Sequence, residues 1–261
     1  MHTPSDAIFF CHGAPGSTQD ANLLLPSGPN TQVFAPDMFC AGPTDVSRHV
    51  IKAFDQTTGN IPDGRLHVVG FSIGAMVAIK VAAARPNRVG RLTLISPAAP
   101  LSLGDFLPDM AGRAIFDMAL NRPRTLRFVT KAQAVLSRVL PNMLINQVFA
   151  KCGTLEKELL DDAGFRAIIQ HGFHNSFREH PNAYIGLLHS YVGDWSAEIA
   201  QVFCPTEIWH GDKDTWSPIS MAHALVQALP NGANLNVVQN GEHYSTLKQA
   251  LLHDDFPSKR R

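Results

Sequence analysis

The chain lacks an excess of charge of either sign: 22 Lys and Arg stand against 22 Asp and Glu in 261 residues. A nucleic-acid-binding domain needs a basic surface to follow phosphates, so this balance argues against one, and equally against attachment to an anionic membrane. The basic ending Lys259-Arg260-Arg261 is too short to change that and reads as a frayed tail. Long apolar runs are also missing. Residues 1–6 are polar and the apolar run after them stops at Cys11, which fits neither a signal peptide nor a membrane span and sets a cytoplasmic expectation. Cysteine is scarce: Cys11, Cys40, Cys152 and Cys204 are scattered without the paired spacing of zinc or redox motifs, and so read as reduced thiols. Cys11 and Cys204 sit in apolar runs and read as small buried hydrophobes. No phosphate-cradling P-loop, dinucleotide fingerprint or H-E-x-x-H is found, so neither an organic cofactor nor a metal is expected. His171, His174 and His180 cluster without ligand spacing and read as polar surface or pocket lining. Internal repeats, low-complexity stretches and long linkers are absent as well.

What is present alternates. Apolar, β-rich runs at 7–11 (AIFFC), 32–35 (QVFA), 66–69 (LHVV), 91–95 (RLTLI), 207–209 (EIW) and 235–238 (LNVV) read as strands buried on both faces, as parallel sheets require. Residues 73–84 form a helix closed by Arg85-Pro86, because proline disfavours helical backbone in the residue before it. Residues 45–54 and 219–229 supply further crossover helices. The spacing predicts an α/β fold with a doubly wound, mostly parallel sheet. With 45% apolar residues the chain can bury such a core. The alternation stops between about 100 and 200, where the pattern is helical throughout with breaks at Pro108, Pro123, Pro141, Gly153, Gly164 and Pro181. Since the last strands come afterwards, residues 1–99 and 201–261 read as the core and 100–200 as a helical cap inserted into it. Within that block Arg124, Arg127, Lys131 and Arg138 recur at helical spacing and read as a solvated basic face. Phe128, Ala132, Val135 and Val139 follow another side of the same helix.

The sharpest local pattern is Gly70-Phe71-Ser72-Ile73-Gly74, directly after one strand run and directly before a helix. A serine held on so tight a strand-to-helix turn is strained, and side chains at Gly70 and Gly74 would collide with neighbouring backbone. Its hydroxyl would stand above the carboxyl edge of the sheet, at a helix N-terminus that favours developing negative charge. Together with His12-Gly13-Ala14-Pro15-Gly16-Ser17 after the first strand, the motif and the order of elements resemble the α/β-hydrolase superfamily over nearly the whole chain outside the cap.

That resemblance implies a catalytic triad and an oxyanion hole. The backbone N–H groups of Ala14 and Ile73 would supply the hole, and His12 reads as structural. The family order of serine, acid, histidine selects Asp214 within His210-Gly211-Asp212-Lys213-Asp214, with Asp212 as its competitor. His243 in Gly241-Glu242-His243-Tyr244 is selected as the base, with His210 a distant second. Glu242 reads as a solvated carboxylate, and Ser96-Pro97-Ala98 offers no alternative acid. The implied activity is acyl-transfer hydrolysis of a carboxylic ester, thioester, lactone or diketone on a small-molecule substrate. Serine at the elbow argues against haloalkane dehalogenases and epoxide hydrolases, which carry aspartate there. A ligand-sensing or signalling protein that keeps the triad, and a cofactor-free perhydrolase or acyltransferase, stand as alternatives. No nucleic-acid or membrane partner is expected, and a homodimer is compatible with the sequence. The cap is expected to lie over Ser72 and select the substrate, with Phe106, Phe116, Met143 and Phe149 as candidates for its underside.

Overall fold

A computed structural model describes residues 7–24, 32–39, 45–63 and 66–252; Cys40 and the basic ending Lys259-Arg260-Arg261 lie outside them. Six strands form the core: β1 (Ala7–Cys11), β2 (Gln32–Phe34), β3 (Leu66–Phe71), β4 (Val89–Ile95), β5 (Thr206–Gly211) and β6 (Asn234–Val238). They pair in parallel in the order β2-β1-β3-β4-β5-β6. Every residue of β1 and β3 is buried, as strands covered by helices on both faces must be. β2 and β6 are the exceptions to the expected two-sided burial. Gln32 and Asn234 are exposed and most of their neighbours only half-buried, because these strands form the two edges.

The crossovers are α1 (Val46–Thr57), α2 (Gly74–Ala84) and α10 (Ile219–Ala228), and α11 (His243–Leu252) closes the chain against the sheet. Asp45 starts α1 by accepting the Arg48 N–H at 3.1 Å, which satisfies one of the free donors of the first turn. α2 is buried almost throughout, with Val77, Ala78 and Ile79 fully enclosed; burial of each branched side chain contributes roughly 1.5–3 kcal/mol.

Between β4 and β5 the described chain is helical throughout: α3 (Arg113–Asn121), α4 (Pro123–Val139), α5 (Pro141–Val148), α6 (Thr154–Leu159), α7 (Ala163–His174), a π-helical turn Asn175–Glu179, α8 (Pro181–Val192) and α9 (Ser196–Ile199). Pro123, Pro141 and Pro181 each open a helix, where the missing N–H costs nothing. Gly153 caps α6, whereas Gly164 lies inside α7 rather than at a break.

The topology decides where a ligand can go. From β1 the chain turns to β2 on one side, then crosses back to β3 on the other, and the strand order runs away from there. The chain therefore leaves the carboxyl ends of β1 and β3 in opposite directions, which opens a crevice at this switch point.

Candidate active site

Ser72 follows β3 at that crevice with φ 57°, a left-handed conformation that costs a serine roughly 1–3 kcal/mol and persists only where surroundings enforce it. Its N–H donates to Ile95 O at 3.0 Å, and its carbonyl accepts from Ala75 N at 3.0 Å and Ala98 N at 3.1 Å. The two glycines allow the approach. A Cβ at Gly70 would stand 2.7 Å from Ala75 Cα, and one at Gly74 would overlap the carbonyls of Cys11 and His12.

Gly74 thus lets the start of α2 press against the end of β1, bringing the His12–Ser17 loop beside the serine. A Cβ at Gly13 would lie 3.4 Å from Ser72 Cβ. The backbone N–H groups of Ala14 and Ile73 make no hydrogen bond with the described residues, while both residues line one cavity with Ser72. Two backbone donors left free beside a serine hydroxyl could receive a developing oxyanion. His12 is fully engaged elsewhere: Nδ1 donates to Gly13 O at 2.7 Å and Nε2 accepts from Met38 N at 3.2 Å. Burial outweighs the Gly13 and Asp37 interactions and lowers its pKa, which suits a neutral structural ring.

Of the two aspartates after β5, Asp214 is the one that meets His243. Its Oδ2 lies 2.7 Å from His243 Nδ1, and its Oδ1 accepts from Trp216 N at 2.8 Å and Ser217 N at 3.0 Å. Burial alone would raise the Asp214 carboxyl; His243, through charge and hydrogen bond, together with His210 and the Ser217 N–H, outweighs it and holds the carboxyl below its ordinary value. Asp212 forms no bond to His243. His210 gives its Nε2 proton to Ser217 O at 2.7 Å and lies behind Asp214. With Nδ1 carrying its proton toward Asp214, His243 keeps Nε2 free as an acceptor. Phe71 and Trp216 flank its ring at 4.9 and 5.0 Å between centroids. Ser72 Oγ has no hydrogen-bond partner among the described residues.

Three residues that hold His243 or its loop were not read that way in the sequence. Ser96, itself at φ 45°, donates from Oγ to His243 O at 2.9 Å. Glu242 is buried rather than solvated, and accepts the Gly153 N–H at 2.5 Å. Glu156, with no exposed surface, accepts the Ser245 N–H at 2.8 Å. The signal for Ser96 was weak but present, in a strand-end serine followed by proline.

The cavity that Ser72 shares with Ala14 and Ile73 has a volume of ≈ 1070 Å³ and is roofed by α3, α4, α5 and α8. Its lining is apolar, with Met110, Ile115, Phe116, Leu136, Val148 and Leu188 among the contributors. Of the four expected underside residues only Phe116 lines it. Phe106 and Phe149 are buried away from it, Phe149 against Trp216 and Tyr244, and Met143 faces outward. The sequence pattern gave each of them as apolar within a helix, but not which way it turned.

Among the described residues no three His, Cys, Asp or Glu side chains gather as a metal site would require, and Cys11, Cys152 and Cys204 are free thiols. The alpha/beta hydrolase fold model matches residues 6–249. The chain belongs to the alpha/beta hydrolase fold family. No curated protein sequence matches this alpha/beta hydrolase. Solved structures similar to it include MGS-M2, an alpha/beta hydrolase enzyme from a Medee basin deep-sea metagenome library, at 18% identity and a TM-score of 0.66 over 97% of this chain and 90% of that one. A thermophilic esterase from Thermogutta terrifontis superposes with a TM-score of 0.63 at 15% identity over 94% and 85%. The enol-lactonase from Burkholderia xenovorans gives 0.65 at 15% over 98% and 90%. At such identities the likeness is one of fold. It leaves the chemistry of this chain to the residues of the site.

Proposed function

We propose that this alpha/beta hydrolase is a serine hydrolase of carboxylic esters with a sizeable apolar acyl group. The observation that carries this reading is the Asp214–His243 bond of 2.7 Å, buried beside a serine at φ 57° that shares an apolar cavity with two free backbone donors.

Ser72 Oγ attacks the ester carbonyl carbon while His243 Nε2 takes the hydroxyl proton. Asp214 holds the ring by Nδ1 and stabilises the imidazolium that results. The carbonyl electron pair moves onto oxygen, where the N–H groups of Ala14 and Ile73 receive it; each such donor contributes roughly 3–4 kcal/mol to the transition state. The tetrahedral species collapses as the carbon–oxygen bond to the alcohol breaks and His243 returns the proton to the leaving oxygen. Water then repeats the sequence on the acyl-enzyme, giving its proton to His243 and releasing the acid and Ser72. The helices between β4 and β5 act as a cap: they roof Ser72, exclude water and offer the acyl group an apolar wall.

The test is a fluorophosphonate probe with peptide mapping, run beside turnover on a panel of esters, thioesters and lactones. An adduct on Ser72 with ester turnover supports the reading. An adduct on another serine, or neither labelling nor turnover on any member of the panel, overturns it.

A further inference from the structure

The roof of the cavity stays apolar at its rim, where it meets solvent. Phe128 is 73% exposed, Val139 65% and Val135 64%, and Leu120 on α3, Leu140 between α4 and α5 and Met143 on α5 are exposed as well. Phe128, Val135, Val139 and Leu140 also line the cavity that holds Ser72, with Lys131 among them, so the apolar surface runs from solvent into the site beside a basic side chain. At about 100° per residue, Phe128, Val135 and Val139 fall within an arc of about 40° on α4, while Leu126 and Thr130, the helix's buried residues, lie on its opposite side. α4 therefore packs by one face and leaves a second apolar face without a partner in the chain.

The charge beside that face is one-sided. Residues 113–148 hold six basic side chains and one acid, Asp117, in a chain whose net charge is zero. Arg124, Arg127, Lys131 and Arg138 are all exposed and occupy an arc of about 60° directly adjoining the apolar one. α4 has no acidic residue. Apolar patches of this kind are uncommon on soluble monomers unless something covers them.

From these observations we infer that the outer face of α3–α5 docks on an anionic lipid surface, with Phe128, Val135 and Val139 entering the acyl region and the four basic side chains meeting phosphate headgroups. A helix with an exposed apolar stripe flanked by Lys and Arg has the chemistry of an interfacial helix. A second copy of the chain is disfavoured as the occupant, since two-fold pairing with α4 antiparallel to its mate sets one basic row against another. The docking follows from the surface alone. The delivery of a membrane-borne acyl ester through the apolar rim to Ser72 rests in addition on the serine hydrolase reading.

The experiment is co-sedimentation of the Ser72→Ala chain with vesicles of phosphatidylcholine alone and of phosphatidylcholine containing 30% phosphatidylglycerol, which leaves docking independent of turnover. The anionic vesicles are expected to bind the chain at least about tenfold more strongly than the neutral ones. Triple replacement Arg124→Gln, Arg127→Gln and Arg138→Gln is expected to remove most of that preference, and Leu120→Ser with Met143→Ser to weaken binding to both. None of these five residues lines the cavity, so turnover of a soluble short-chain ester by the same changes in the parent chain should stay within about twofold. Absence of binding to either vesicle, equal binding to both, or a stable dimer that shields Phe128 and excludes vesicles overturns the docking. Failure of the fluorophosphonate to label Ser72 in the parent chain, with docking intact, refutes the hydrolase reading only.

Discussion

Glu156 Oε1 accepts a hydrogen bond of 2.8 Å from the N–H of Ser245, joining a helix of the excursion to the first turn of α11, the helix that begins with His243 itself. The bond has a counterpart in the opposite direction, from Gly153 N–H at the start of α6 to Glu242 Oε2. Each carboxylate sits at the N-terminus of the other segment's helix, where unpaired N–H groups favour negative charge. His243 is thereby held from the sheet side by Asp214 and Ser96, and its helix from the excursion by Glu156 and Glu242.

The clasp has a pH signature. Burial, the leading cause, together with the charges of Glu242 and Asp214, raises the Glu156 carboxyl from 4.5 to about 7, against the opposing pull of the Ser245 N–H and His243. The folded chain thus holds a proton on Glu156 that the unfolded chain has released. Its contribution to stability is greatest below the unfolded value and declines as pH rises from about 4.5 to about 7. Glu156→Gln removes this decline. Urea unfolding at pH 4.5 and pH 8 is expected to show the variant gaining on the parent by up to about 3 kcal/mol at the higher pH. An unchanged difference between the two proteins at both pH values refutes it.

Ser72 should reveal its strain when replaced. Ser72→Ala is expected to lower ester turnover by a factor on the order of 10⁴ or more while leaving the fold intact. Ser72→Gly, equally inactive, should melt higher than Ser72→Ala by a few degrees, because glycine adopts φ near 57° without the steric penalty. Calorimetry of the two inactive variants decides it, and equal or reversed melting temperatures count against enforced strain.

Asp214 and Asp212 should separate cleanly. Asp214→Asn replaces the acceptor for His243 Nδ1 and favours the wrong tautomer, with an expected loss in kcat on the order of 10³–10⁴. Asp212→Asn should stay within about threefold. Equal losses in kcat for the two variants refute the assignment of the acid.

Gly74 and Gly232 test close approach against simple backbone conformation. A Cβ at Gly74 meets the carbonyls of Cys11 and His12, whereas one at Gly232, at φ 66°, meets nothing within 4 Å. Gly74→Ala is therefore expected to cost several kcal/mol or prevent folding, and Gly232→Ala about 1 kcal/mol. Similar unfolding midpoints for the two variants refute the account given for the elbow.

How much of this was legible in the sequence depended on range. The six strands and the elbow are local patterns, and each apolar run fell within a residue or two of the strand found. Asp214 and His243 were chosen by their order along the chain, and the structure brings them into contact. Glu156 and Ser96 were not found because their meaning lies in bonds to residues 89 and 147 positions away, and Glu242 was misread because a buried glutamate looks like any other until its partner is known. The basic row on α4 was legible. The exposure of Phe128, Val135 and Val139 was not, because helical periodicity shows that a face exists and not whether another element covers it. A net charge of zero likewise concealed that basic residues gather along one side of α4.

The parallel register of β1 and β3 pairs Phe10 with Val69 and Cys11 with Gly70, and it is this pairing that sets Ala14 across from Ser72. A slip of one residue would carry one loop past the other by roughly 3.3 Å, about the full length of the bond an oxyanion must make. The register irregularity of β3 lies between Leu66 and His67, at the end of the strand far from the serine. The placement of Ser72 beside the Ala14 and Ile73 N–H groups is thus inherited from a ladder of backbone hydrogen bonds, and the helices above can drift in sequence without disturbing it.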